Sequence, residues 1–212
     1  VDRQADGQGE LTMQVLELFP VPVFIDKSTE IDNAALSRQI YAVQQEEQAG
    51  GVADKTGFSN IGGFRSYDIL KRPGFEGLKR FIVDTLNEKM LKGKWFAEGV
   101  LDERAISGMW SMVNKKGHAN IAHIHPDSWL SGVYYPKVPA DPELVGELCF
   151  HDPIATRTFT RSFYRSVQAE VFKLKPIEGL LVMFPSWFEH SVKPNLSDED
   201  RISIAFNVDR PR

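Results

Sequence analysis

Residues 119–135 read ANIAHIHPDSWLSGVYY, and the alternation within them decides the fold. Side chains on an extended strand take opposite faces in turn, so Ile121, His123 and His125 point one way while Ala122 and Ile124 point the other. Pro126 removes a ladder donor and ends a regular central strand, which leaves Asp127 to the turn that follows. The same texture of short Val, Ile, Phe, Tyr and Trp runs broken by Gly, Pro, Asn and Asp holds from Ala105 onward, in AISGMWSMV, LSGVYYP, GELCF, FTRSFYRSVQAEVFKLKP, GLLVMFP and RISIAFNV. Repeated short strands with turn punctuation predict a mainly β domain, a jelly-roll barrel of the double-stranded β-helix kind.

The chain before Ala105 reads differently. Residues 1–10 are polar and tail-like, and LTMQVLELFPVPVFI reads as one or two strands broken at Pro20 and Pro22. Helical spacing follows twice, through Ile31, Ala35, Leu36, Ile40 and Val43 behind a capping-box-like Ser28 to Asp32, and through Phe75, Leu78, Phe81, Ile82, Leu86 and Met90. Between the two helices, residues 57–74 are glycine-rich and loop-like, and Phe58, Phe64, Arg65 and Tyr67 make this segment the candidate substrate-facing lid. The expected organisation is α+β: a tail over 1–10, then one domain over 11–212, with strands and helices over 11–104 supporting a jelly-roll core over 105–212.

A chain of 212 residues buries a core without help from a metal. With 25 Lys and Arg spread among 29 Asp and Glu, and a formal net charge of -4, it offers no basic cluster for nucleic acid. Cys149 is the sole cysteine, which excludes an internal disulfide and a thiolate zinc cluster and fits a reducing compartment. No apolar run approaches the ~20 residues of a membrane helix, and the first residues are not signal-like, so the expectation is a soluble, cytoplasmic protein.

Two imidazoles at alternate positions of one strand face can share an ion but cannot complete its site. FPSWFEHSVKPN supplies a distant third, His190, and a barrel is the architecture that brings such separated strands together. Three such ligands on one side of an ion leave open positions, the geometry of a non-haem Fe(II) centre. Shortly after, in RISIAFN, Arg201 and Ser203 share a strand face opposite Ile202, Ile204 and Phe206, and a guanidinium fork beside a hydroxyl is a carboxylate receptor.

With these residues the chain resembles the 2-oxoglutarate- and Fe(II)-dependent oxygenase superfamily, whose pattern is His-x-Asp, a distal His and then Arg-x-Ser. The resemblance runs over residues 105–208. HIHPDSWLSGVYYP, GELCFHDP, EGLLVMFPSWFEHSV and RISIAFN look like a bacterial and phage branch of it. It implies Fe(II) held by His123, His125 and His190, and 2-oxoglutarate as co-substrate with its far carboxylate on Arg201 and Ser203. Molecular oxygen would hydroxylate an unidentified prime substrate with release of succinate and carbon dioxide. Of Tyr134 and Tyr135 only one can face the pocket, and Tyr135 is the candidate there.

One departure from the pattern leaves an alternative open. If His123 and His125 pair, a histidine replaces the usual carboxylate; if the frame shifts, His125 and Asp127 form a literal His-x-Asp across Pro126. The shared strand face and the preceding GHAN favour the first. A three-histidine site also resembles cupin-type metalloenzymes that use no 2-oxoglutarate, in which Arg201 would hold the substrate's own carboxylate. A non-enzymatic β-barrel binding module is the third reading. His151 and Asp152 read as turn residues, His118 as a loop residue, SDEDR as a solvated hairpin loop, and Trp110, Asn114 and Asn120 as residues able to reach the pocket mouth.

Overall fold

The computed structural model describes residues 21–51, 59–91, 101–154 and 171–209. The expected tail, most of the first strand region, Phe58 and the first part of FTRSFYRSVQAEVFKLKP lie outside them. In chain order the elements are β1 (Phe24–Lys27), α1 (Asn33–Ala49), β2 (Asn60–Ile61), β3 (Phe64–Arg65), α2 (Glu76–Thr85), β4 (Ile106–Asn114) and β5 (Ala119–His123). They continue with β6 (Leu130–Lys137), β7 (Leu148–His151), β8 (Val171–Leu174), β9 (Leu180–Pro185), β10 (His190–Val192) and β11 (Arg201–Val208).

Two antiparallel sheets face each other, one six-stranded in the order β1-β9-β6-β11-β4-β3 and one five-stranded in the order β2-β5-β10-β7-β8. This is the double-stranded β-helix architecture that the strand punctuation predicts. Both faces of the six-stranded sheet are covered. Leu181 and Met183 of β9 pack toward Leu36, Ile40, Leu78 and Ile82 of the helices, whereas Leu180, Val182 and Phe184 pack with Leu148 and Phe150 of the facing sheet. That is why β9 is buried along its whole length.

Helix α1 begins later than the capping-box reading expects. Asp32 is its cap, accepting the Ala35 N–H at 2.8 Å, while Ser28 Oγ closes a separate turn by accepting from Glu30 and Ile31. Helix α2 starts after Phe75 and continues as a π-helical turn over Leu86–Leu91.

The glycine-rich segment is not all loop. Asn60–Ile61 pairs with β5 in one sheet and Phe64–Arg65 with β4 in the other, so a short turn of chain ties together the edges of the two sheets. Phe64 lies opposite Val113 and enters the helix-side core; Arg65 lies opposite Met112 and faces the space between the sheets. Tyr67 is exposed, and its backbone N–H donates to the buried Glu47 carboxylate of α1.

Candidate active site

Between the sheets is a cavity of about 380 Å³ whose described lining includes His123, His125, His190, Arg201, Ser203 and Tyr135. Strand register brings the histidines together. His190 of β10 is the cross-strand partner of His123 in β5, and their ring centroids are 4.2 Å apart. His125 lies just past the end of β5, anchored by its N–H to Ser186 O at 2.9 Å, with its ring 5.2 Å from His123 and 5.1 Å from His190. One nitrogen from each ring falls within 4.8 Å of the others.

The partners of the rings decide which nitrogen each offers. Nδ1 of His123 donates to Ile121 O at 2.8 Å, Nδ1 of His190 to Phe188 O at 2.9 Å, and Nδ1 of His125 to the Asn207 side-chain oxygen at 2.7 Å. A carbonyl acceptor requires the proton on Nδ1, so each Nε2 carries a lone pair. Ser59 Oγ, 3.3 Å from His123 Nε2, makes a contact that a metal would replace. Burial lowers the pKa of all three rings. His190, pressed further by the neighbouring His123, falls to about 3, so the cluster is neutral and ready to ligate at pH 7.

Across the cavity, alternation along β11 puts Ile202, Ile204 and Phe206 into the helix-side core and Arg201, Ser203, Ala205 and Asn207 into the cavity wall. Arg201 is 1% exposed. Its Nη1 donates to the carbonyls of Gly146 at 2.9 Å, Val145 at 3.3 Å and Lys193 at 3.4 Å, and its Nε has no partner among the described residues. Gly146, at φ +72, makes this cage possible, because a Cβ there would sit 2.5 Å from Arg201 Nη1. Beside it, burial pushes the Tyr135 phenol up to about 12 against the opposing charge of Arg201. A guanidinium buried beside a phenol, and held among the described residues by carbonyl dipoles alone, is short of an anion there. Iron and a dicarboxylate therefore fit the residues present: converging Nε2 atoms at one end, and at the other a buried guanidinium whose Nε is unpartnered among the described residues.

Asp127 takes no part in this cluster. It is exposed, has a left-handed backbone (φ 67), and lines a different cavity with Trp129 and Trp187. Tyr134 points to the helix side, its hydroxyl donating to Asn33 Oδ1 at 2.7 Å. Trp110 and Asn120 line the site cavity, whereas Asn114 is buried beyond it. His118 accepts the Lys115 N–H, and His151 meets Ser191 Oγ at 2.9 Å, away from the cavity. The acidic loop engages other partners than Arg201: Asp198 pairs with Lys116, and Asp200 accepts from Tyr41. Asn207 is a residue that sequence reasoning missed, although it continues the same alternation as Arg201 and Ser203.

A family model described as "Putative 2OG-Fe(II) oxygenase" matches residues 108–207, the stretch that contains all six candidate site residues. No curated protein matches the sequence. Among solved structures, a prolyl-4-hydroxylase from Pseudomonas putida matches with a TM-score of 0.57 at 16% identity, covering 90% of this chain and 94% of its own. A Trichoplax adhaerens prolyl hydroxylase in complex with a hypoxia inducible factor peptide gives 0.56 at 18% identity over 88% and 83%. HygX from Streptomyces hygroscopicus, with nickel and 2-oxoglutarate bound, gives 0.51 at 11% identity over 88% and 82%. At such identities the structural likeness is one of fold. Over residues 108–207 the chain is similar to the putative 2OG-Fe(II) oxygenase family, and its fold is similar to that of solved prolyl hydroxylases.

Proposed function

We propose that the protein hydroxylates a C–H bond of its prime substrate, with His123, His125 and His190 holding Fe(II) and with Arg201, Ser203 and Tyr135 holding the far carboxylate of 2-oxoglutarate. The observation that carries this reading is the buried Arg201, whose Nε is unpartnered among the described residues and which shares a cavity with three converging imidazoles. When bound, iron and 2-oxoglutarate supply the oxidation: substrate C–H, O2 and 2-oxoglutarate give substrate C–OH, succinate and carbon dioxide. The chain contributes fixed geometry. The three Nδ1–H bonds hold the rings, the carbonyl cage aims Arg201, and Phe184 and Leu148 in the cavity wall exclude water.

Anaerobic titration of Fe(II)-loaded protein with 2-oxoglutarate tests this reading through the weak visible charge-transfer band of a keto acid chelated to iron. The band is expected in the wild type, and Arg201→Ala is expected to weaken 2-oxoglutarate binding while leaving iron in place. Iron binding with no band would instead support a three-histidine metalloenzyme in which Arg201 takes the substrate's own carboxylate.

A further inference from the structure

Three segments that line the histidine cavity run on into a second cavity of about 480 Å³. Pro126 lines the first and Asp127 the second, Phe184 gives way to Pro185, and Asn207 to Asp209. A step of one or two residues spans at most about 7 Å of extended chain, so the two spaces are neighbours at the end of the barrel that carries His125.

The wall of the second cavity has a different chemistry. Asp127 and Asp209 bring two carboxylates from distant parts of the sequence, Trp129 and Trp187 bring two indoles, and neither Lys nor Arg is among its described residues. Trp187 stands in the tight turn between β9 and β10, which Phe188 N–H closes on Pro185 O at 2.9 Å, and it is 54% exposed. The backbone of Trp129 is tied on both sides, its N–H to Val208 O at 3.0 Å and its carbonyl to Ser186 N–H at 3.3 Å. The Ser107 hydroxyl donates to Asp209 Oδ1 at 3.0 Å and fixes that carboxylate. By contrast, neither Asp nor Glu is among the described residues of the histidine cavity, so a cationic substrate finds its countercharge only next door.

We propose that the second cavity is the receptor for an ammonium or guanidinium group carried on the prime substrate, a proposal that rests on the reading of the histidine cavity as an oxygenase centre. A cation seated against the Trp187 indole meets the negative face of the ring, and the two carboxylates supply charge-assisted acceptors beside it. The rest of the substrate then extends past Pro126 toward the three imidazoles.

The test compares N-acetyl-argininamide with N-acetyl-citrullinamide, and N-acetyl-lysinamide with N-acetyl-norleucinamide, pairs that differ in charge at similar shape. Binding to the full chain, loaded anaerobically with 2-oxoglutarate and either Zn(II) or Co(II), is read from the proton NMR line widths of the ligands. The cations are expected to bind about tenfold more tightly than their neutral partners, and Co(II) to broaden their lines beyond Zn(II). Asp127→Asn, which keeps the left-handed backbone, and Trp187→Leu are each expected to cut the preference to about threefold or less, with metal and 2-oxoglutarate affinities unchanged within about twofold. Equal binding of charged and neutral partners overturns the proposal, as do silence from all four ligands and a preference unchanged in either variant. A preference with no added broadening by Co(II) also overturns it, by placing the cation away from the metal. If the protein binds neither metal nor 2-oxoglutarate, the oxygenase reading fails instead, and the charge preference of the metal-free protein decides the second cavity separately.

Discussion

Asn207 Oδ1 lies 2.7 Å from His125 Nδ1 and accepts the Ser131 hydroxyl at 3.0 Å, so one amide oxygen on β11 fixes a candidate ligand that the other sheet supplies. Ser131 is also the cross-strand partner of Asn207, which holds the amide in register. Asn207→Leu removes the acceptor and frees the ring to rotate. The expected result is a fall in Co(II) affinity of roughly 10-fold to 100-fold in a visible-absorption titration, with recovery in Asn207→Asp. Unchanged affinity in the leucine variant would show that His125 is oriented by other means.

Gly146→Ala places a methyl group against Arg201 Nη1 and strains a backbone at φ +72. Arg201 must then leave its cage of carbonyls. We expect 2-oxoglutarate affinity to fall by about tenfold or more with metal affinity retained, and stability to drop by about 1 kcal/mol or more. Calorimetry with the co-substrate and a denaturant midpoint measure the two effects separately. A variant that binds 2-oxoglutarate normally would detach Gly146 from the aim of Arg201.

His123→Ala and Asp127→Gly separate the two ligand frames. Glycine suits the left-handed backbone at Asp127, so that substitution removes the carboxylate without adding strain. Metal affinity is expected to collapse in His123→Ala and to stay within about twofold in Asp127→Gly. The reverse order in a metal titration would restore the literal His-x-Asp frame.

The metal-free protein should lose stability as pH falls from neutrality. His190 titrates at 6.5 in its ordinary state and at about 3 in the fold, so between these values the unfolded chain holds a proton that the native chain refuses. Stability therefore declines across that window, with a slope that approaches about 1.4 kcal/mol per pH unit for one fully coupled group. His123 and His125 shift in the same direction. Thermal melts in chelator between pH 7 and pH 5 should steepen for the wild type relative to His190→Gln; equal slopes would place the unfavourable burial elsewhere.

The strands Ile106–Asn114, Ala119–His123, Leu130–Lys137, Leu180–Pro185 and Arg201–Val208 were legible because turn residues bound each apolar run. Along β11 the alternation separated wall from core residue by residue. Strands β2 and β3 were not legible, since two residues carry no period and their glycine-rich setting reads as loop. The inward tyrosine could not be read from spacing alone, because Tyr134 and Tyr135 are both buried, one in each packing layer. The cage around Arg201 joins carbonyls from Val145, Gly146 and Lys193, and backbone atoms leave no mark on a pattern of side chains.

No helical residue is among the described residues that line the cavity, yet the helices govern its wall. Ile202, Ile204 and Phe206 alternate with Arg201, Ser203 and Asn207 along one strand, and their far side rests on Leu36, Ile40, Leu78 and Ile82. An excised jelly roll spanning only residues 108–207 would turn that row toward water, at a cost of roughly 1.5–3 kcal/mol for each side chain. The stretch that carries the chemistry is therefore not a portable cassette. Its guanidinium can be aimed only while a helical layer it never touches holds the other side of the strand.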